Sequence, residues 1–341
     1  MKSDIFYSKD ELHEHHSFIV DKNNEIIRID KFLMLRVPNS TRSKIQKCIN
    51  SGNVFCNDKI IKSNYKVKPG DIIKLKFEFE PINKEIIPED IPLNVVFEDD
   101  NIVVINKKSN MVVHPSYGHY SGTLVHAILH RFKDIKGDFN NERPGLVHRL
   151  DKNTTGLIVI ARNEVALTNL SSQFSDRTIK RTYFALVWGD FDKDKGTITG
   201  FIGRDKKNRK KMTVYDSSDH GKQAITHFEV IERFRYVTLI KCNLETGRTH
   251  QIRVHMSKIG HPIFNDDEYG GDKILRGTTF SKYRQFVNNC FKILPRQALH
   301  AKLLSFVHPI TNKKVSFECE LPEDFSNILH KWRNYIKNHS N

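Results

Sequence analysis

The sequence predicts an α+β protein in two parts, a small helix-and-sheet unit followed by a larger domain on a mostly antiparallel mixed sheet. Three observations predict it. From residue 93 to about 325, strand patterns follow one another with only occasional helical ones, the order expected of helices packed on an antiparallel sheet. Residues 26–80 hold two short helical patterns and then three short strand patterns. Residues 81–92 place Pro81, Pro88 and Pro92 among charges, which reads as a linker between the two.

Residues 1–25 lack a clear period and read as a polar tail. The run "HEHH" (His13 to His16) belongs to that tail, because nothing near it completes a metal site. In the first unit, Phe32, Leu33 and Leu35 suggest a short helix. Ser40 or Thr41 can cap a second one, with Ile45 and Ile49 at i, i+4 and Gly52 ending it. The stretches "VFCND", "KIIK" and "DIIKLKF" then read as strands. Downstream, strands are expected in "LNVVFED", "NIVVINK", "MVVHP", "GLIVIAR", "YFALVWG", "AITHFEVIERF" and "YVTLIKCNLE". Helices are expected in "NEVALTNLSSQF", with Ala166, Leu170 and Phe174 on one face, and in "THQIRVHMSKIG", with Ile252, Met256 and Ile259. Residues 326–341 read as a C-terminal helix or tail.

Composition narrows the function. The 341 residues are 38% hydrophobic and 28% charged, ordinary for a soluble protein. No apolar run approaches the length of a membrane span, and the polar start "MKSDIFYSKDELHEHHSF" is not a secretory signal, so the cytoplasm is the expected compartment. The net charge of +15 points to a polyanionic partner, since Lys and Arg neutralise phosphates. Five cysteines without a C-x-x-C pair suggest reduced core thiols, neither a zinc site nor a disulfide framework. No coiled-coil heptad appears, and a monomer is expected.

The densest chemistry lies in "RPGLVHRLDKNTTGLIVIAR", residues 143 to 162, where His148, Arg149, Asp151 and Lys152 precede an apolar strand. "HRLDKN" echoes a kinase catalytic loop, but Leu150 breaks the order and the companion motifs are missing. No P-loop and no zinc-deaminase signature occurs. What remains is one carboxylate among cations. Such a group stays ionised and can serve as nucleophile or general base. Taken alone, an Asp that caps the next turn and pairs with Arg149 is the plainer reading. Other segments add weight. "LETGRTHQIRVHM" sets a Gly turn before a helix bearing Arg248, His250, Arg253 and His255. "TIKRTYFALVWG" puts Tyr183 on a strand with Ala185 and Val187 on the same face. "GRDKKNRKKMTV" forms a basic loop, Arg204 to Lys211, that suits RNA contact or a solvated hairpin tip almost equally.

Two resemblances follow from these residues. "RIDKFL", "STRSKIQKCI", "GNVFCNDKIIK" and "VKPGDII", in that order, resemble the S4-type RNA-binding domain. Its candidate RNA-contacting residues are Arg28, Lys31, Arg42, Lys44 and Lys47, gathered near a capped helix start where backbone N–H groups also favour phosphate. "GLVHRLDKNTTGLIVIAR", "KRTYFALVWG", "LETGRTHQIRVHM", "HPIFNDDEYGG" and "RQALHAKLLSFVHPITN" resemble the RluA/RluD family of RNA pseudouridine synthases. The preceding "PEDIPLNVVFEDDNIVVINK" and "MVVHPSYGHYSGTLVHAIL" look most like its RluD branch, which modifies large-subunit ribosomal RNA. The likeness spans roughly residues 26 to 325. One departure stands at Lys107-Lys108, where many relatives carry Lys-Pro.

The resemblance implies a pseudouridine synthase domain over residues 93–325 and roles at matching positions. Asp151 would be the catalytic aspartate and nucleophile, Tyr183 the ring that stacks on the flipped target base, and Arg253 the partner of the aspartate. Arg149 would lie near the flipped nucleotide. Arg204 is a candidate RNA contact by its place in the basic loop and not by the resemblance. The reaction rearranges atoms already present in the substrate, so no cofactor or metal is implied. Two alternatives stay open at this point: a tRNA substrate for the same chemistry, and a non-catalytic RNA-binding ribosome-assembly factor.

Overall fold

The apolar residues gather into separate cores, and the chain divides with them into Met1–Glu85 and Ile86–Asn341. The computed structural model describes residues 12–22, 24–37, 40–77, 86–116, 118–133, 135 and 143–338. Among these, no helix is long and apolar enough to cross a membrane.

The first unit contains β1 (His13–Ile19), α1 (Ile29–Arg36), α2 (Arg42–Asn50), β2 (Val54–Cys56), β3 (Lys59–Ile60) and β4 (Ile72–Phe77). Its sheet runs β1-β4-β2-β3. Thr41 caps α2, its Oγ1 accepting from the Lys44 N–H at 3.4 Å. Gly52 follows the helix at φ +77°, a conformation that favours glycine. Ile29, Phe32, Leu33, Ile45 and Ile49 pack on Val54, Ile73 and Leu75, while Leu35 points to solvent. The expected polar tail is corrected here. His13–Ile19 is a strand paired antiparallel to β4, and a register shift between Glu14 and His16 breaks the period of two that would have disclosed it.

The second unit contains β5 (Val95–Glu98), β6 (Ile102–Lys107), α3 (Leu124–Arg131), β7 (Thr155–Ala161), α4 (Glu164–Ser175) and β8 (Lys180–Trp188). It continues through β9 (Lys195–Arg204), β10 (Met212–Tyr215), β11 (Lys222–Arg233), β12 (Val237–Leu244) and α5 (Gln251–Lys258). It ends with α6 (Ser281–Ile293), β13 (Leu299–Val307), β14 (Lys314–Glu318) and α7 (Glu323–Lys337). One large sheet runs β10-β9-β11-β12-β8-β13-β7-β6-β5, with β14 on β13. The β13–β7 pair is parallel and the other named pairs are antiparallel, so the fold is the expected α+β with a mostly antiparallel sheet.

The middle of that sheet is covered on both faces. Along β7, Ile158 and Ile160 enter one core, while Leu157, Val159 and Ala161 enter the other beneath α4. Burial on both faces explains why "LIVIA" is continuously apolar and does not alternate.

Three further expectations change. "MVVHP" is not a strand, because the carbonyls of Val112 and Val113 accept from Leu124 and Val125, the first N–H groups of α3. The linker is shorter than residues 81–92. Residues 81–85 lie outside the described residues, and Glu89 is tied to the second unit, both its carboxylate oxygens accepting from the Gly122 N–H at 3.0 Å. The C-terminal helix is no appendage either. Phe325, Ile328, Leu329 and Trp332 of α7 are buried in the main core with Tyr283 and Val287 of α6. All five cysteines are free, Cys48 half-buried and the others buried.

Candidate active site

Asp151 stands on the short loop that leads into β7, and the fold holds that loop by its backbone. The Asp151 carbonyl accepts from Thr154 N–H. The Lys152 carbonyl accepts from Met111 N–H at 3.2 Å and from Lys107 Nζ at 3.1 Å. The Asn153 carbonyl accepts from Arg296, which Asp324 grips through two oxygens at 2.7 and 2.8 Å. Lys107 is buried and spends its three N–H donors on the carbonyls of Lys108, Met111 and Lys152. Burial pushes its ammonium down to about 7, against the pull of the Asp151 charge. Behind the loop, Gly156 lets β13 approach. Its φ is +111°, and a Cβ there would meet the Ala301 carbonyl oxygen at 2.3 Å.

Arg253 faces Asp151 from α5. Its Nη1 donates to Asp151 Oδ2 at 3.2 Å. Asp266 holds the rest of the guanidinium by two bonds at 2.7 and 2.8 Å, and Glu268 adds a third at 2.6 Å. Burial opposes the charge of Arg253, but the hydrogen bonds and charge of Asp266, with Asp151 and Glu268, outweigh it and raise the group above the ordinary arginine range. Arg253 is therefore a fixed cation. Asp151 Oδ1 hydrogen-bonds to no described residue and has His250 Nε2 at 3.9 Å. His250 itself adopts a left-handed φ of 56° just before α5, the kind of local strain that clusters at functional sites. The helix thus begins at Gln251, three residues later than the turn pattern suggested, and Arg248 and His250 lie in front of it.

These groups open into one cavity of about 420 Å³, lined by Arg149, Asp151, Tyr183, Arg253 and their neighbours. Tyr183 lies on β8 opposite Cys242 of β12 and Ala301 of β13, at the middle of the sheet. It is only 7% exposed, and burial raises the pKa of its hydroxyl. Arg149 is exposed at the rim. Four of the candidate residues therefore meet in one place.

The remaining candidates lie elsewhere. Arg204 ends β9 and donates to the Arg209 carbonyl, within a basic hairpin tip joining β9 to β10. Lys211 of that tip reaches back to the Glu268 carbonyl. In the first unit, Lys31, Lys44 and Lys47 are exposed. Arg28 and Arg42 bond the buried Asp30 at 3.1 Å each. Burial pushes the Asp30 carboxyl up, and the bonds from Arg28, Gln46 and Arg42 overcome this and hold it at about 2. This pins the start of α2 to α1 and fixes where the basic side chains project.

The sequence reading gave no role in this region to Lys107, Arg181 or Arg296, and named His250 beside Arg253 without assigning it one. Lys107 and Arg296 carry a signal only when partners distant in sequence are known, 45 and 143 residues away for their loop carbonyls. The "TGRTH" turn already marked the place of His250.

Comparison with known proteins places the chain in a family. A family model described as RNA pseudouridylate synthase matches residues 101–258, and one for the S4 domain matches residues 27–73. An uncharacterized RNA pseudouridine synthase of Chlorobaculum parvum is 46% identical, over 92% of this chain and 96% of its own length. The ribosomal large subunit pseudouridine synthase D of Pseudomonas aeruginosa is 41% identical, over 89% and 91%. Among solved structures, human RNA pseudouridylate synthase domain containing 4 aligns with a TM-score of 0.53 at 25% identity, covering 70% of this chain and 93% of that one. With the Asp151, Tyr183 and Arg253 positions meeting in one cavity and relatives matched over nearly their whole length, the chain belongs to the RNA pseudouridine synthases, isomerases that carry here an S4 domain ahead of the catalytic one.

Proposed function

We propose that this enzyme converts specific uridines of large-subunit ribosomal RNA to pseudouridine, with Asp151 as nucleophile and the target base flipped into the 420 Å³ cavity. One observation carries the chemistry. Asp151 has one oxygen tied to the fixed cation Arg253 and the other without a hydrogen bond to any described residue, beside the Tyr183 ring. The substrate class rests on the relatives named as ribosomal large subunit synthases, matched over about nine-tenths of this chain.

The reaction breaks the bond from uracil N1 to the sugar C1′, turns the base and joins C5 to C1′. The hydrogen lost from C5 is balanced by the one gained at N1. Unstacking a uridine costs a few kcal/mol, least in loops. A ring such as Tyr183 returns roughly 1–3 kcal/mol on stacking. Arg253 keeps Asp151 oriented, and Arg149 at the rim supports the displaced strand. In the S4 unit, Lys31, Lys44 and Lys47 offer cations to the backbone, with Arg28 and Arg42 beside them, and Arg204 does so from the hairpin.

Mapping pseudouridine in total RNA from cells with wild-type protein and with Asp151→Asn tests this. Specific large-subunit sites should vanish in the variant while its fold and RNA binding persist. Loss confined to tRNA would transfer the same chemistry to another substrate. No loss anywhere would leave a non-catalytic RNA-binding protein.

A further inference from the structure

Among the described residues of the second unit, four lysine and arginine side chains are buried: Lys107, Arg181, Arg253 and Arg296. Three have their donors answered, Lys107 by three carbonyls, Arg253 by carboxylates and Arg296 by Asp324 and backbone carbonyls. Arg181 does not. It is 9% exposed, its Nε has no partner, and among the described residues no carboxylate pairs with it. Its guanidinium carbon lies 5.4 Å from the Phe174 ring. A buried cation left in this state works against folding, so its retention asks for an anion that arrives later.

The surroundings indicate where that anion would sit. Arg181 lines the same cavity as Asp151. It precedes Tyr183 by two on β8, so the two side chains leave one face of the strand, about 6.6 Å apart along it. Gly247 lies against Arg181, where an added Cβ would be 2.6 Å from its Nη1. A larger residue there would crowd the guanidinium at the cavity wall. Arg149, Arg177 and Arg248 line the same opening. A planar guanidinium presents a fork of donors that matches a phosphate through two bonds. A neutral uracil carbonyl would leave the buried charge unbalanced.

We propose that Arg181 is the phosphate anchor of the site, taking the phosphodiester beside the flipped uridine while Tyr183 takes the base. This rests on the reading that RNA uridine enters this cavity. The shared chemistry is a phosphate oxyanion, from the RNA backbone or free in solution, and the test separates the two.

Arg181→Met and Arg181→Lys would be compared with wild type in three ways. On ribosomal RNA transcripts, Arg181→Met should lose at least about 100-fold in kcat/KM and Arg181→Lys less. Inorganic phosphate, against chloride at equal ionic strength, should raise the Tm of wild type and not that of Arg181→Met, whose Tm in chloride should equal or exceed the wild-type value. On an RNA oligonucleotide spanning a mapped target, a methylphosphonate at one linkage flanking the uridine should cost wild type at least about 10-fold and cost Arg181→Met nothing further. Arg181→Met turnover within about threefold of wild type would overturn the proposal. So would equal methylphosphonate penalties in both proteins, or a lowered Tm with phosphate sensitivity intact, which would make Arg181 a packing residue. A phosphate effect on Tm with no methylphosphonate effect would assign the site to free phosphate and overturn the RNA anchor. If wild type forms no pseudouridine in any RNA, the functional reading fails instead, and the Tm arm still decides whether Arg181 binds an oxyanion.

Discussion

At the scale of residues, the site combines groups that touch substrate with groups that hold the loop. Asp151 belongs to the first kind in the reading proposed above. Lys107 belongs to the second, since its ammonium ties the Lys152 carbonyl of the Asp151 loop to the carbonyls of Lys108 and Met111 after β6. Lys107→Met keeps the stem and removes the donors. A misplacement of about 1 Å at a reacting group can cost on the order of 100-fold in rate, so kcat should fall at least about 10-fold while RNA affinity changes little. Equal losses in kcat and affinity would show that Lys107 acts on binding instead. Lys107 also gives the Lys-Lys departure a structural setting, because its ammonium bonds the carbonyl of Lys108, the residue that replaces proline. A proline there would keep that carbonyl and lose only an N–H.

At the scale of elements, the decisive contact is the parallel pairing of β13 with β7 at His300–Thr155 and Ala301–Gly156. It places the Asp151 loop beside Tyr183, because β8 flanks β13 on its other side. Gly156→Ala should strike the Ala301 backbone and strain a φ of +111°. A loss of about 3 kcal/mol or more in unfolding free energy is expected, read from urea midpoints. Gly118→Ala is the control, with φ +79° but open space around it. It should cost only about 1 kcal/mol. If the two variants lose equally, the close approach of β13 is not what demands glycine. Much at this scale was legible beforehand. "GLIVIAR" announced β7 by a short apolar run, and "YFALVWG" and "NEVALTNLSSQF" announced β8 and α4 by period and length. β1 was not legible because a bulge interrupts its alternation. "MVVHP" misled because its carbonyls serve a helix start and not a ladder.

At the scale of the whole molecule, charge and buried histidines govern behaviour in solution. His255 and His300 are almost fully buried, and burial pushes each down to about 4 from an ordinary 6.5. Above pH 6.5 both are neutral in folded and unfolded chains, and their contribution is fully present. As pH falls from 6.5 toward 4 the unfolded chain takes up protons first, so stability is lost. Each contributes about 1.4 kcal/mol per pH unit. Unfolding free energy should therefore drop by about 3 kcal/mol between pH 6.5 and 5 from this pair. A flat profile over that range would mean the two rings are protonated in the folded protein. The net charge of +15 makes a second prediction. Reversing Lys31, Lys44 and Lys47 to Glu should weaken RNA binding and flatten its salt dependence by roughly 2 in the log–log slope. An unchanged slope would remove the S4 lysines from the interface.

The sequence alone determined the class of fold and the order of most elements, and it named the candidate chemical residues. Strand periodicity, caps and ordered motifs are local properties, and Asp151, Tyr183 and Arg253 each stand in such a motif. Only the tertiary structure decided which groups share a site and which charges are answered. Arg253 finds Asp151 across 102 residues, and Lys107 and Arg296 find their loop carbonyls across 45 and 143. Whether a buried cation has a partner depends on those distant approaches. For that reason Arg181, one ordinary arginine in "KRTY", became distinct only in the folded chain, where it is buried and no carboxylate of the described residues pairs with it.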